Sequence, residues 1–464
     1  LSAAASLPVS PPAGLTQRLG AAIAYLSDGE IPPAAAAVAR RGLADCLGVM
    51  IAGSAEPVVA HVKAALAPLA AGPARLIPGV EACGAREAVL INGIAGHVLD
   101  YDDVALDGHP SAVLVPALLA AADGAATGAD FIRGYVAGYE TWAVLWAACA
   151  QPLHSMGRHP SSQFGPIAAA AGIAALWRLP ADATANALGL AAAQASGLIA
   201  NFGSMAKSFQ VGRATEAGLL AAQLARAGVD AAPAVLEDPA GFLAVIGGGA
   251  SLNAGFGFGV PDWWILREGL DIKIYPVCYA GHRLVDAALD LHRTHHIAPA
   301  EIVGIELRLG RLQSKILHST RPQTVLEAKF SPEFCVAAVL ATGALGRAQL
   351  TPACLARPDV KRLIGLASRS LDEVIAAAPF APYDQVALRL ADGTHLQSAP
   401  VRHAAGSRHA PPSEAEALAK FMDCCEALLP GPAAAALFAA AWNLPPASPL
   451  ADLLAHFRAS ESPA

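Results

Sequence analysis

Four short stretches concentrate ionisable side chains in a chain that has few of them, 15% Asp, Glu, Lys and Arg against an average nearer ~25%. The first is His97-Val98-Leu99-Asp100-Tyr101-Asp102-Asp103, followed by His109-Pro110-Ser111. The second, Gly157-Arg158-His159-Pro160-Ser161-Ser162, repeats His-Pro-Ser ahead of an apolar helix pattern. Each copy sets an imidazole at a loop-to-helix junction, where catalytic groups and helix N-termini meet anions. The third, Gly203-Ser204-Met205-Ala206-Lys207, closes a long uncharged region with one cation, a costly placement unless the amine meets an anion. The fourth, Lys273-Ile274-Tyr275-Pro276-Val277-Cys278-Tyr279-Ala280-Gly281-His282, stands where the texture of the sequence changes. Together the four hold Lys207, Lys273, four histidines and Asp100. They contain no Cys-based metal motif, no Walker loop and no G-x-G-x-x-G after a strand. Cations and neutral bases with no cofactor motif fit proton abstraction beside a carboxylate. The enolate-like dianion that develops needs positive charge, and an imidazole or amine can take and return the proton. The expectation is a site with no metal and no cofactor, acting on a small polycarboxylate.

Other chemistries can be written on the same residues. Asp102, Asp103 and Asp107 look like the aspartate-rich motif with which helical prenyl synthases hold Mg²⁺ and diphosphate, but the spacing differs and no second aspartate pair follows. Ser204 and Lys207 match S-x-x-K, the nucleophile and base of penicillin-binding proteins, without the S-D-N or K-T-G that accompany it. His292, His295 and His296 have helical metal-ligand spacing, but Asp290 points off their face, so they read as a cationic helix end. Each cluster also has a purely structural reading: carboxylates that cap or pair, serines that start helices, a lysine reaching solvent, a linker between domains. A catalytically inactive helical scaffold is the alternative outside the enzyme class.

The elements that must position these residues follow from the 464-residue pattern. Apolar residues recur at helical spacing over residues 33–52, 86–99, 111–122, 165–177 and 215–227, with Gly, Pro and Asp between. Residues 183–206 take their apolar character from Ala and Gly and contain Asn186, Gln194 and Asn201, so they read as a buried helix and turn rather than a span, despite a mean hydropathy of +0.44. Beyond residue 271, Val303, Ile305, Leu307 and Leu309 alternate with polar neighbours or Gly304, a half-buried strand. Val386, Leu388 and Leu390, then Asp392-Gly393, form a second strand and hairpin signal. Helical stretches at 332–345 and 358–368 lie between them. After Pro411-Pro412, Ser413 and Glu416 form a capping box, and the tail to residue 457 is helical. The predicted fold is mainly α: a large helical domain of residues 1–270 and 406–464, with a smaller α+β lid, residues 271–405, inserted before the C-terminal helices. A formal charge of −7 with no long basic run argues against nucleic acid or an anionic membrane as partner. Eight scattered cysteines and no signal-peptide pattern in residues 1–17 lead to the expectation of free thiols and a cytoplasmic location.

In this order, the segments 92–103, His109-Pro110-Ser111, His159-Pro160-Ser161, 201–207, 212–228, 273–282 and Glu327-Ala328-Lys329-Phe330-Ser331 resemble the MmgE/PrpD family. The resemblance extends over residues 43–331, and the lid-and-tail layout agrees to the end. It implies a homodimer and metal-independent work on di- or tricarboxylic acids: 2-methylcitrate dehydration, cis-aconitate decarboxylation or iminodisuccinate epimerisation. Carried over singly, Asp100, His109, His159, Lys207, Lys273 and His282 stand at the family's active-site positions. Departures are Val104 for a frequent Thr or Ser, Gln210 for a frequent His, and Cys278 where the decarboxylase type has a further His. Dehydration of a citrate-like hydroxy acid is the first expectation, with epimerisation next and decarboxylation after it. In roles, His159 and His109 are expected to move the proton, with Asp100 orienting an imidazole or binding substrate. Lys207 and Lys273 are expected to clamp carboxylates, with Tyr275 and His282 contributing from the lid.

Overall fold

The computed structural model describes residues 14–26, 28, 31–79, 81–249, 258, 262–372, 381–426 and 428–457. Long helices Pro33–Gly53, Ala85–Val98, Pro110–Ala121, Gly128–Ala148, Pro160–Leu176 and Met205–Arg226 form the body. Every residue of Pro160–Leu176 is buried, which its Ala and Gly content permits, because small side chains let neighbouring helices surround it. Thr127 and Asp130 start Gly128–Ala148 with a reciprocal capping box. Where Ala85–Val98 crosses Met205–Arg226, glycine is required. A Cβ on Gly212 would lie 2.5 Å from the Leu90 carbonyl, and one on Gly93 would meet Gly212 Cα at 3.0 Å. This close crossing sets the distance between the helix that carries His97 in its last turn and the helix that carries Lys207 in its first.

Two helices start earlier than the periodicity indicated, at Pro160 rather than 165 and at Met205 rather than 215. Lys207 therefore sits in a first helical turn and not in a loop. The lid holds a four-stranded sheet in the order β4-β3-β5-β6. It comprises β3 (Ile302–Gly310), β4 (Ala367–Asp372), β5 (Gln385–Leu390) and β6 (His395–Gln397), while β1 (Ala74–Arg75) and β2 (Ala82–Cys83) make a small ribbon in the body. β5 and β6 pair antiparallel across the Asp392-Gly393 turn, and β4 lies parallel to β3. The helix expected to reach 368 ends at Leu366, and its last residues enter β4.

One apolar core runs from Leu15 through the body helices and takes in Phe421, Leu437, Leu450 and Phe457 of the tail. A second belongs to the lid, from Tyr275 to Leu388. The tail helix Glu414–Cys425 opens with the Ser413/Glu416 capping box. Among the described residues no single helix is long and apolar enough to cross a membrane. One bent pair, Pro33–Gly53 with Pro57–Leu66, passes by length and composition but turns by 78°. The eight cysteines are unpaired.

Candidate active site

A cavity of about 1080 Å³ opens between body and lid, walled on the body side by Asp100, His109, His159 and Lys207 and on the lid side by Cys278 and Tyr279. Four separate segments supply these groups. His109 and His159 are the residues just before helices Pro110–Ala121 and Pro160–Leu176, each held there by a proline at the first helical position. Asp100 follows the end of Ala85–Val98 in a left-handed conformation (φ 53°), which Asp tolerates better than most residues.

The carboxylate of Asp100 is shared by two ammonium groups. Lys207 Nζ donates to Oδ2 at 2.7 Å, and Lys273 Nζ donates to Oδ1 and, at 3.0 Å, to the Asp100 carbonyl. Burial works against the charge on Asp100, but Lys207 and Lys273 together hold its carboxyl well below the usual range. Lys207 is also bracketed by the rings of Phe202 and Phe330, each 5.3 Å from Nζ. It faces the cavity, whereas Lys273 is completely buried behind Asp100. Asp100 is expected from the sequence to orient an imidazole or bind substrate; the structure gives the first of these parts to Asp102. Asp102 Oδ2 lies 2.8 Å from Nδ1 of His97 and 3.1 Å from Nδ1 of His109. The His109 Nδ1 is also 2.8 Å from the Asp103 carbonyl. Facing two acceptors, that nitrogen carries a proton, which in the neutral ring leaves the lone pair on Nε2. Burial opposes ionisation of Asp102, yet the two imidazoles hold its carboxyl well below the usual range. Burial pulls His97 down to about 3, so it stays neutral. Asp103 turns away to accept from Ser111, and burial lifts its carboxyl to about 8.

His159 belongs to the same group of rings, its centroid 5.8 Å from His97, which in turn is 4.5 Å from His109. Its Nδ1 lies 3.2 Å from the Gln210 side-chain nitrogen, and its Nε2 is buried with no protein partner among the described residues. Burial first, then the neighbouring His97 and Lys207, push His159 far below the usual imidazole range.

The three residues expected to bind substrate do not line the cavity: Lys273 lies behind Asp100, and Tyr275 and His282 are held within the lid. Tyr275 donates its hydroxyl to Asp286 Oδ1 at 2.6 Å, and His282 is fully buried with Nε2 donating to the Val277 carbonyl at 3.3 Å. Neither lines the cavity; that side of the lid presents Cys278, Tyr279 and Arg283 instead. Cys278 is a neutral thiol, pushed up to about 11 by burial and the Asp100 charge. Three buried lysines also brace the loop after Ala85–Val98. Lys329 Nζ donates to the Val98 carbonyl at 3.0 Å, Lys273 to that of Asp100, and Lys420 to that of Tyr101 at 2.8 Å. Lys420 pairs with Asp45 at 2.6 Å. Burial pulls Lys329 down to about 8.

The competing motifs separate in space. Asp107 accepts from Trp146 at 3.0 Å and Asp103 from Ser111, so the three aspartates do not converge. The exposed Ser204 donates to the Asn201 carbonyl at 2.7 Å while Lys207 engages Asp100. His97, Asp102 and His109 are of metal-ligating types and lie together. Their ligand atoms lie within 4.8 Å of one another, with both Nδ1 atoms against Asp102 Oδ2, so a metal bound there would replace the Nδ1 protons.

Residues 17–254 match the MmgE/PrpD N-terminal domain and residues 275–444 the MmgE/PrpD C-terminal domain. The chain belongs to the MmgE/PrpD family. The family's C-terminal match takes in tail helices that, in this structure, pack on the body. The sequence is similar to cis-aconitate decarboxylase from Homo sapiens, 26% identical over 291 residues, 60% of each chain. It is also similar to cis-aconitate decarboxylase from Aspergillus terreus, 28% over 251 residues and 51% of each chain. A cis-aconitate decarboxylase-like protein, oryM, from Aspergillus oryzae is 36% identical over 157 residues, 31% of this chain and 33% of that one. The matched region thus spans a third to three fifths of these MmgE/PrpD relatives.

Proposed function

We propose that this protein is a metal-independent lyase that moves a proton at a carbon flanked by carboxylates, and that its reaction is dehydration of a citrate-like hydroxy acid. The observation that carries the reading is a cavity wall on which two differently held imidazoles stand beside a lysine. A substrate carboxylate would sit on Lys207, the cation that both faces the cavity and is already placed to meet an anion. His109 is the base: Asp102 and the Asp103 carbonyl fix its proton on Nδ1, so the lone pair of Nε2 is free to accept the substrate proton. The electron pair moves into the carboxylate-stabilised dianion and then breaks the C–O bond. The hydroxyl leaves as water with the proton that His109 has accepted, so the ring returns to its starting form. His159 hydrogen-bonds the charge that develops. Lys273 acts from behind, holding Asp100 and through it Lys207.

Decarboxylation of an unsaturated tricarboxylate is the second reading, favoured by the relatives' names and opposed by Cys278 in the place of a further histidine. Epimerisation of an imino- or amino-dicarboxylate would begin with the same abstraction. The homodimer implied by the family resemblance and the cytoplasmic setting expected from the scattered cysteines belong to this proposal too. The test is incubation of a panel of di- and tricarboxylates in deuterium oxide, with ultraviolet detection of a new double bond and measurement of released carbon dioxide. A new double bond with a citrate-like acid supports dehydration. Carbon dioxide from cis-aconitate supports the second reading, and exchange without either supports the epimerase. No exchange and no turnover on any member overturns the proposal in favour of an inactive scaffold.

A further inference from the structure

We infer that Gln210 is a positioning residue that fixes the polarity of His159, holding the ring as the tautomer with its proton on Nε2. Gln210 stands one turn beyond Lys207 on Met205–Arg226 and is nearly buried. Its amide has one orientation only. Oε1 accepts the Leu198 N–H at 2.7 Å and an Asn201 side-chain N–H at 3.0 Å, while Nε2 donates to the Leu198 carbonyl at 3.2 Å. Turning the amide over would set N–H against N–H and oxygen against oxygen at Leu198. The remaining N–H of Gln210 therefore points at His159 Nδ1, 3.2 Å away. An amide nitrogen can only donate, so Nδ1 must accept, and a neutral ring then carries its proton on Nε2.

The groups around the ring oppose a second proton: His97, His109, Lys207 and His154 supply like charge or neutral rings, and Phe202 meets the ring edge-on at 5.0 Å. His159 lines the cavity, and its ring thus carries a donor on a buried atom that has no protein partner among the described residues. His109 offers an acceptor. Two residues of one type are given opposite polarity by their second nitrogens, one held by a carboxylate and a carbonyl, the other by an amide. Glutamate at 210 would reverse the arrangement, because a carboxylate accepts from Nδ1–H and leaves Nε2 bare.

The catalytic meaning of this arrangement rests on the proton-transfer reading above; the tautomer itself does not. Protein labelled with ¹⁵N-histidine, with His159→Gln identifying the resonance, gives the protonation of each ring nitrogen by long-range ¹H–¹⁵N correlation. The expected result is Nε2–H with a bare Nδ1 in the parent protein, unchanged down to pH 5. In Gln210→Glu the proton should move to Nδ1, kcat on the accepted acid should fall about 10²- to 10⁴-fold, and KM should stay within a few-fold. Gln210→Met, which keeps the volume without the polarity, should show both tautomers and an intermediate kcat, and it serves if Gln210→Glu does not fold. A proton on Nδ1 in the parent protein overturns the inference. So does Gln210→Glu with Nε2–H retained and kcat unchanged. The expected tautomers with no turnover on any acid would leave the inference standing and remove the proposed reaction.

Discussion

Replacing Asp100 with Asn isolates the charge balance on which the site rests. The substitution keeps shape but removes the anion shared by Lys207 and Lys273. Lys207 has the cavity beside it, whereas Lys273 has no exposed surface and, beyond that carboxylate, donates to the Asp100 carbonyl. Breaking a buried pair from one side costs about 3 to 5 kcal/mol, because the remaining charge is left uncompensated. The ammonium could instead lose its proton. Taking a proton from an amine of ordinary pKa ~10.4 at pH 7 costs about 4.6 kcal/mol, so both routes give the same magnitude. For a cooperative unit of 150–250 residues, that lowers the melting temperature by about 6 to 20 °C. Thermal unfolding followed by circular dichroism at pH 7 and pH 9.5 measures it. Deprotonation becomes easier at the higher pH, so the deficit of Asp100→Asn against the parent protein should shrink there. A variant that melts with the parent protein at pH 7, or a deficit indifferent to pH, would refute the argument that Asp100 exists to neutralise Lys273.

Other outcomes follow from the same geometry. Asp102→Asn should lower kcat by about 10² to 10⁴ with KM nearly unchanged, since Asp102 is fully buried and touches imidazoles rather than the cavity; steady-state kinetics on the accepted acid decide it. Activity should survive exhaustive chelation, and loss restored by Mg²⁺ would point back to the aspartates. His282 is held neutral by burial down to about 3, so the unfolded chain takes up its proton first as pH drops. The stability this group contributes is complete above the ordinary value of 6.5 and lost as pH falls from there toward 3. The stability gap between the parent protein and His282→Leu, from urea midpoints, should therefore narrow by about 1.4 kcal/mol per pH unit over that range. Gly212→Val should destabilise by about 1 to 3 kcal/mol in the same assay, because its Cβ has no room beside the Leu90 carbonyl.

The strands β3 and β5 were legible because one face of each is buried and the other is not, so hydrophobicity alternates along them. β4 was not: its residues, Ala367 to Asp372, show no alternation and owe their place to parallel pairing with β3, far away in sequence. The late helix starts have a common cause. Ser161, Ser162 and Gln163 in the first turn of one, and Lys207, Ser208 and Gln210 in the first two turns of the other, are buried polar residues, and they break the apolar period that marks a helix. Both of these helix starts carry residues of the site, Pro160–Leu176 following His159 and Met205–Arg226 holding Lys207. The sequence brought His109, His159, Lys207 and Asp100 to one place, but not which aspartate would meet an imidazole, because the left-handed backbone at Asp100 decides where each carboxylate points. Nor could it show that Tyr275 and His282 turn inward while Cys278 and Tyr279, in the same short segment, face the cavity. The signal for Gln210 was available only as a departure from the family pattern.

The three lysines behind the Asp100 loop have a consequence for the order in which the protein is made. The carbonyls of Val98, Asp100 and Tyr101 receive their ammonium donors from 231, 173 and 319 positions further along the chain. During synthesis from the N-terminus the body helices can collapse on one another, and Lys207 can meet Asp100, while the loop carbonyls still lack their ammonium donors and Asp45 still lacks Lys420. The loop is completed only when Lys420, in the tail, has emerged and docked. An N-terminal fragment ending near residue 254 would therefore contain Asp100, His109, His159 and Lys207 and yet hold no competent site.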